Sequence, residues 1–330
     1  MTAVSARRAG RHLVLVGPTA GGKSATAVAL ARRRIAAGHP VEIVSCDSMA
    51  VYRGMDVGTA TPSLDARGGV PHHLLDVVDP GEEFSVHRFV ELVDEALDRI
   101  ESRGADAVLV GGTGLYVRAL TDGLDLPDRC HEGARALPDL DTDGLRRPLE
   151  ELDPLASSRV PPGIRRRLLR ALEVTVGSGR PFSPSGPGLG EFPPTPYVLA
   201  GLHVDREALA ARIRERFDRQ LADGFLDEAR ALVARPGGLS RTAAGALGYR
   251  ELWAHLRGEV DLDEAVELAV TRTRRFAVRQ ERWFRRDPRL RWFECDGAVA
   301  AIDRHWAECA GAATGSTTTV DGGASAVPPP

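Results

Sequence analysis

One lysine lies in a glycine-rich loop between a predicted strand and a predicted helix, and this loop constrains the fold more than any other feature. Residues Gly17 to Ser24 read GPTAGGKS, which matches the G-x-x-x-x-G-K-S pattern of phosphate-binding loops. Of the 43 basic residues only Lys23 is not an arginine, so the loop keeps the cation that binds phosphate oxygens as a compact point charge. The flanks, an apolar run at 12–16 and a helical stretch at 24–31, have the order that lets loop amides and a helix N-terminus face an anion.

The overall composition is that of an ordinary globular protein. The chain has 330 residues and a net charge of −3, so nucleic-acid binding must come from local basic clusters. Four widely separated cysteines without C-x-x-C spacing favour free thiols over a zinc or disulfide framework. No apolar stretch is long enough to cross a membrane, and residues 1–11 lack the apolar segment of a signal peptide. We therefore expect a cytoplasmic protein without a membrane partner.

Strands and helices alternate in the first third of the chain, which predicts a parallel sheet with crossover helices. Beyond the P-loop, strands are predicted at 41–46, 73–78, 107–110 and 197–203, and a helix at 85–103. The prediction is an α/β fold, with a P-loop NTPase-like parallel sheet core, a helical insertion domain and a helical C-terminal part. The expected division is a first part of the core at 10–121, a helical insertion and linker at 122–196, a return to the core with basic helices at 197–310, and a disordered tail at 311–330. Within the third part, 205–293 is predicted to be almost wholly helical.

Two other predicted strands end in segments that suit a ligand site, because ligands bind beyond the carboxyl ends of parallel strands. Asp47 directly follows the second strand, and Gly-Gly-Thr-Gly at 111–114 follows the strand 107–110. We expect Asp47 to face whatever the P-loop binds, although a helix N-cap or Asx-turn is the alternative. Hydrolytic P-loop enzymes usually end a later strand in Asp to hold magnesium through water. The Gly-Gly-Thr ending therefore weakens an ATPase interpretation.

With these motifs in place, the chain resembles the tRNA dimethylallyltransferases, also called tRNA isopentenyl-diphosphate transferases. The segments that carry the resemblance follow one another through most of the chain, at 17–24, 47–48, 51–60, 71–76, 111–116, 170–174, 247–251, 279–280 and 283–285. The family commonly has Gln where Ala50 stands and Lys where Val278 stands, so the contacts to tRNA are expected to differ at these positions.

The resemblance implies transfer of a dimethylallyl group from dimethylallyl diphosphate to N6 of the adenosine 3′ of the anticodon, position 37, with release of diphosphate. The expected acceptors are tRNAs that read codons beginning with uridine, and the expected state is a monomer. Three residues are predicted to be catalytic: Asp47 accepts the N6 proton, Thr113 donates to the bridging oxygen, and Lys23 neutralises the leaving group. The predicted diphosphate site comprises Gly17, Pro18, Thr19, Ala20, Gly21, Gly22, Lys23, Ser24, Arg212 and Arg216, with Ser24 as the ligand of Mg²⁺.

The tRNA anticodon stem-loop is expected to bind two arginine clusters. One lies at 165–170, and the other has nine arginines from Arg272 to Arg291 interleaved with aromatic residues. The residues predicted to contact tRNA are Asp47, Ser48, Met49, Ala50, Thr113, Arg135, Arg166, Arg167, Arg170, Gly248, Tyr249, Arg250, Arg279 and Gln280. The alternative for the second cluster is an amphipathic helix with a charged outer face, and a solvated face is likewise the alternative for Arg212 and Arg216.

Three other functions are compatible with parts of this pattern. A P-loop kinase of a small metabolite would use the cluster 165–170 as an arginine-rich lid, but the helical C-terminal half and the Gly-Gly-Thr strand end do not favour it. A prenyltransferase acting on a free adenine nucleotide would not need the insertion or the basic helices. An RNA-binding switch that uses nucleotide only to set its conformation would need neither Asp47 nor Thr113 for chemistry.

Overall fold

A computed structural model describes residues 8–124, 126, 137 and 140–315. Six strands form one sheet in the order β3-β2-β4-β1-β5-β6, and every neighbouring pair is parallel. The strands are β1 Leu13–Val16, β2 Val41–Ser45, β3 His72–His73, β4 Asp106–Gly111, β5 Val198–His203 and β6 Arg291–Glu294. The predicted parallel α/β core is confirmed. The strand that leads into the P-loop, β1, is one of the two central strands.

Helices connect the strands and fill both halves of the chain. Those of the first half are α1 Lys23–Ala36, α2 Asp56–Thr59, α3 Val86–Ser102 and α4 Gly114–Asp122, and those between β4 and β5 are α5 Thr142–Leu152, α6 Pro154–Arg159 and α7 Arg165–Ser178. The later helices are α8 Arg206–Ala222, α9 Phe225–Ala234, α10 Arg241–Ala244, α11 Tyr249–Leu256, α12 Leu262–Phe284 and α13 Ala298–Gly315. Several begin at a Ser or Asp whose side chain accepts a hydrogen bond from the first turn, as Asp205 does for α8 and Asp261 for α12.

The sheet is covered on both faces. In β1, Val14 and Val16 pack into one cluster with residues of α3, α8 and α12, whereas Leu13 and Leu15 pack into the other with residues of α1 and α13. This alternation follows from the two-residue repeat of a strand. Helices α5 to α7 have a separate small core, formed by Leu145, Leu149, Ala156, Leu168, Ala171 and Leu172.

Three expectations about the elements were wrong. The third strand ends after His73, because Leu74 and Asp76 adopt left-handed backbone angles (φ 61° and 55°) that no strand accommodates. The stretch 205–293 is not helical to its end: α12 ends at Phe284, before Asp287-Pro288, and β6 follows. The predicted tail at 311–330 begins too early, because α13 continues to Gly315, and 316–330 lie outside the described residues.

Two further expectations concern the whole chain. In the described ranges no helix has the length and apolar character needed to cross a membrane. Cys46, Cys295 and Cys309 are free thiols, in agreement with the prediction, and Cys130 lies outside the described residues.

Candidate active site

A cavity of about 370 Å³ lies beyond the carboxyl ends of β1, β2 and β4. The sheet side contributes polar groups from the predicted loops, including Lys23, Asp47 and Thr113. The helical side contributes two arginines, Arg216 and the more exposed Arg279. It also contributes an apolar wall formed by Ile213, Phe217, Phe225, Ala246, Leu247 and Phe276. The cavity is therefore suited to a small ligand that has an anionic group and an apolar group.

The P-loop has the folded-back conformation that its sequence predicts. Gly22 precedes α1 with a φ of 83°, a left-handed angle that glycine adopts without strain, and Ala20 also has a positive φ of 59°. The Lys23 ammonium lies over the loop, since Nζ donates to the carbonyl of Pro18 at 2.7 Å. Lys23 is thus held beside the loop amides before any ligand binds.

Three charged side chains influence one another in the cavity. Burial lowers the pKa of Lys23 to about 8, with Asp47 opposing and Arg216 reinforcing the shift. Burial likewise lowers the pKa of Arg216, against the attraction of Asp47. Two cations face one carboxylate here, so an incoming anion relieves the repulsion between Lys23 and Arg216.

The carboxylate of Asp47 serves a local turn with only one of its oxygens. Oδ1 accepts from the backbone N–H of Met49 at 2.8 Å and, more weakly, from that of Ala50 at 3.4 Å, which is Asx-turn geometry. For Oδ2 the described part of the chain provides no hydrogen-bond donor. The turn that the sequence offers as an alternative is therefore present, and it fixes the carboxylate in the cavity wall while leaving one oxygen for another task.

Thr113 lines the cavity from the segment after β4. Its hydroxyl donates to Oγ of Ser48 and accepts from the backbone N–H of Ser48, both at 3.3 Å. Long bonds of this kind are weak and are exchanged readily for a better acceptor. The segments after β2 and β4 are thereby joined, and Asp47 and Thr113 line the same cavity as the sequence predicts.

Of the five arginines of α8, the four from Arg212 to Arg219 divide into two groups. Arg216 lines the cavity, and Arg212 lies beside the P-loop, where Nη1 is 3.7 Å from Sγ of Cys295. Sγ of Cys295 is in turn 3.8 Å from the carbonyl oxygen of Gly21. The other two pair with acids of the outer surface, Arg214 with Glu267 and Arg219 with Glu215. The geometry favours an anion site over a solvated face for Arg212 and Arg216.

The residues predicted to contact tRNA fall into distinct environments. Ser48 and Met49 line the cavity, and the side chains of Arg166, Arg167, Arg250 and Arg279 are exposed. Arg170 faces Glu173 at 3.6 Å. Tyr249 and Gln280 have little exposed surface but line the cavity, as Asp47 and Thr113 do. Ala50 and Gly248 are buried and do not line it. Arg135 lies outside the described residues.

Sequence reasoning missed the acid that holds the cavity wall together. The Glu228 carboxylate accepts from the N–H groups of Asp56 and Val57 at 2.8 Å and of Gly58 at 3.0 Å, and from the Tyr249 hydroxyl at 2.6 Å. These bonds join α9 and α11 to α2, which contributes Gly58 to the cavity. No local pattern around Glu228 indicates this role, because its partners lie on other elements of the chain, α2 and α11. The apolar wall was missed for the same reason.

Ser24 is the candidate ligand of a magnesium ion. Its side chain is exposed in the first turn of α1, and the described residues contain no group of three or more His, Cys, Asp or Glu side chains that could hold a metal. Mg²⁺ often takes most of its ligands from water and substrate phosphates. The residues present therefore fit an ion that binds together with a diphosphate and is coordinated by one hydroxyl of the protein, that of Ser24.

Comparison with known proteins identifies relatives that match most of the chain. A family model described as IPP transferase matches residues 50–287. The tRNA dimethylallyltransferase of Geobacter metallireducens is 43% identical over 307 residues, which cover 88% of this chain and 95% of the relative. That of Kineococcus radiotolerans is 46% identical over 297 residues, covering 88% and 93%.

Solved structures show the same fold. The full-length tRNA isopentenylpyrophosphate transferase of Bacillus halodurans superimposes with a TM-score of 0.69 at 35% identity, covering 94% of this chain and all of that one (100%). A eukaryotic dimethylallyltransferase, described as acting on tRNA, gives a TM-score of 0.69 at 26% identity, covering 86% and 73%. The resemblance carried by the sequence motifs is confirmed: the chain belongs to the IPP transferase family, an enzyme family whose named members are tRNA dimethylallyltransferases.

Proposed function

We propose that this chain transfers the dimethylallyl group from dimethylallyl diphosphate to N6 of the adenosine at position 37 of tRNA. The observation that carries the proposal is the composition of the cavity, in which Lys23, Arg216 and the P-loop lie beside an apolar wall. A diphosphate ester of a short branched alkene has matching chemistry, because its head is anionic and its tail is apolar. Lys23, Asp47 and Thr113, the groups assigned to the chemistry, line one cavity of one chain, so we propose that a monomer is active.

The diphosphate binds at the P-loop. The loop amides and the N-terminus of α1 supply hydrogen bonds, and Lys23 and Arg216 supply charge. Lys23 exchanges its bond to the Pro18 carbonyl for one to a phosphate oxygen. When bound, Mg²⁺ neutralises charge on the diphosphate, and Ser24 is its ligand from the protein. No phosphoryl bond breaks in this reaction, which agrees with the absence of an acidic residue directly after β4.

At carbon C1 the transfer forms one bond and breaks another. The N6 lone pair attacks C1 of the dimethylallyl group, the bond between C1 and the bridging oxygen breaks, and diphosphate leaves with that electron pair. Oδ2 of Asp47 accepts the proton that N6 loses, and Thr113 turns its hydroxyl from Ser48 to the bridging oxygen. Preorganised donors and cations around the developing charge lower the barrier most.

The acceptor adenosine must leave its stack in the anticodon loop to reach the cavity. Extrusion of a base costs a few kcal/mol and costs least in a single-stranded loop. Exposed arginines on α7 and α12, among them Arg166, Arg167, Arg279 and Arg282, are suited to hold the phosphates on either side. For Arg279 the cavity lies directly beneath, since this residue also lines it.

The proposed acceptor is tested by changing one nucleoside. We expect the purified protein to prenylate an anticodon stem-loop with adenosine at position 37 and not the same stem-loop with guanosine there, which lacks the N6 amine. Digestion of the product and mass spectrometry of the nucleosides identify the site. Equal labelling of both stem-loops, or label on another nucleoside, would contradict the assignment.

Diphosphate binding is expected to depend on pH through Lys23. Because the pKa of this ammonium is about 8 in the free protein, it is charged below that pH and neutral above it. The affinity for inorganic pyrophosphate should therefore be highest below pH 8 and fall above it by about tenfold per pH unit, since binding then requires uptake of a proton. Titration calorimetry across this range provides the measurement. In Lys23→Met the affinity should be low throughout and show no inflection of this kind; an inflection that survives the substitution would have another cause.

Charge reversal on α7 or α12 is expected to weaken tRNA binding and flatten its salt dependence. Each lost phosphate contact lowers the slope of log K against log salt by about 0.7–0.9, so Arg166→Glu/Arg167→Glu or Arg279→Glu/Arg282→Glu should lower it by about twice that. Filter binding of tRNA over a range of salt concentrations measures the slope. The matched control is Arg32→Glu/Arg304→Glu, which reverses two exposed arginines on α1 and α13, on the other face of the sheet. Equal slopes in all three variants would mean that the arginines of α7 and α12 form only a solvated surface.

A further inference from the structure

The side chain of Gln280 joins α12 to both loops that carry the candidate catalytic groups. Its Oε1 accepts from the backbone N–H of Thr19 at 2.8 Å, and its Nε2 donates to the carbonyl of Gly112 at 2.8 Å. The orientation of the carboxamide is fixed by its partners, because one is a donor and the other an acceptor. Thr19 belongs to the P-loop and Gly112 directly precedes Thr113. One side chain therefore holds two loops of the site.

The surroundings of Gln280 leave little room for another arrangement. The residue is only 6% exposed; its bond to Gly112 is buried and its bond to Thr19 is partly buried. A Cβ atom on Gly112 would lie 2.3 Å from Nε2 of Gln280, and one on Gly114 would lie 2.4 Å from Trp283. Gln280 and Trp283 are three residues apart on one face of α12. The two glycines that flank Thr113 are thus required by the close approach of this helix.

Helix α12 presents different groups on its two sides. Arg279 and Arg282 are exposed, whereas Gln280 and Ala277 are buried against the sheet. A helix that binds tRNA phosphates on its outer side is therefore in direct contact with the P-loop on its inner side. Gln280 also lines the cavity, but each end of its carboxamide is bonded within the protein, to the P-loop and to the segment before Thr113. These two bonds give it a role in the site that needs no contact to RNA.

We propose that Gln280 is a positioning residue of the diphosphate site, not a contact to tRNA; this inference rests on the proposed function. Its carboxamide fixes the position of the P-loop at Thr19 relative to the segment that contains Thr113, and holds both against α12. Without it, the N–H of Thr19 and the carbonyl of Gly112 lose buried partners, and both segments must shift to reach water. The diphosphate must then order both segments when it binds, and the free energy that this ordering costs lowers its affinity.

The decisive variant is Gln280→Met, which keeps the length and packing of the side chain and removes both hydrogen bonds. We expect the affinity for inorganic pyrophosphate with Mg²⁺ to fall by about tenfold or more. We expect kcat of prenyl transfer to fall by up to about 10²-fold, because small misplacements of the reacting groups have effects of this size. The Kd for tRNA should not change, since the arginines on the outer side of α12 are untouched.

A second variant breaks the same contact from the opposite side. Gly112→Ala adds a methyl group that would meet Nε2 of Gln280 at 2.3 Å, so the carboxamide must move away. It should weaken pyrophosphate binding and leave tRNA binding as it is. The control for general loss of stability is Asp122→Asn, in a buried network away from the cavity: Asp122 pairs with Arg118 and, at 2.7 Å, with Arg289. We expect this control to unfold at lower temperature and to keep both affinities.

The experiment measures pyrophosphate affinity, tRNA affinity and thermal unfolding for the wild type and these variants. Weaker pyrophosphate binding with normal tRNA binding in Gln280→Met and Gly112→Ala supports the proposal. Weaker tRNA binding with normal pyrophosphate binding would make Gln280 a contact to RNA and overturn it. Normal affinities in variants that are merely less stable, as in the control, would also overturn it. If the wild type itself does not bind pyrophosphate, the proposed function fails first, and that result is distinct from the others.

Discussion

Asp47→Asn is expected to lower the rate of prenyl transfer by about 10²–10⁴-fold while tRNA affinity and thermal stability change little. The amide oxygen can still accept from the backbone N–H groups of Met49 and Ala50, so the turn survives. What the variant loses is a basic oxygen at the position of Oδ2, and without it the N6 proton has no acceptor. Single-turnover measurements with saturating tRNA and dimethylallyl diphosphate isolate this step.

Asp205 provides a matched control for this substitution. It begins α8 and, like Asp47, accepts through Oδ1 from the second and third residues after it, Glu207 at 2.8 Å and Ala208 at 3.1 Å. It does not line the cavity. Asp205→Asn should therefore keep full activity, and a variant at Asp47 that is stable and as active as wild type would end the assignment of Asp47 as the base.

Lys23→Ala is expected to lower turnover by about 10²–10³-fold, since it removes one preorganised charge from the leaving group. Binding of tRNA should be largely unaffected, because the partner of Lys23 is the diphosphate. Steady-state kinetics with both substrates, together with tRNA binding, separate the two effects. Lys23→Arg sharpens the test: it keeps a positive charge, but a planar guanidinium does not fit the space in which Nζ lies 2.7 Å from the Pro18 carbonyl. Near-normal activity in the Ala variant would remove the P-loop from the mechanism.

The part of the site that the sequence predicts is the part made by single segments. The P-loop pattern predicts both the preceding strand, β1, and the location of Lys23, because glycine positions and the strand–loop–helix order are local. Asp47 and Thr113 could be placed in one site because both directly follow strands, and the carboxyl ends of parallel strands share an edge of the sheet. The structure brings the three residues to one cavity.

The part that the sequence does not predict depends on contacts between distant segments. The bond from Thr19 to Gln280 spans 261 residues, and nothing near Gln280 distinguishes a side chain that faces RNA from one that faces the P-loop. Glu228 is similar, since its backbone partners at 56–58 lie 170 to 172 residues away in sequence. Strand β6 was missed because only Phe293 in it is buried and several arginines lie directly before it, so it lacks the apolar run of a central strand.

Transfer of a prenyl group to tRNA and release of pyrophosphate can be measured in one assay. The protein is incubated with tRNA and dimethylallyl diphosphate labelled in the prenyl group, with and without ATP, and both labelled tRNA and released pyrophosphate are measured. We expect one pyrophosphate to be released for each prenyl group transferred to tRNA, at a rate that ATP does not increase. Turnover that requires ATP and gives a phosphorylated product would identify a kinase. Label on a free adenine nucleotide in place of tRNA would identify a different acceptor. Binding of RNA without any transfer would indicate a nucleotide-dependent switch. Each of these results would contradict the proposed transfer of a prenyl group to tRNA.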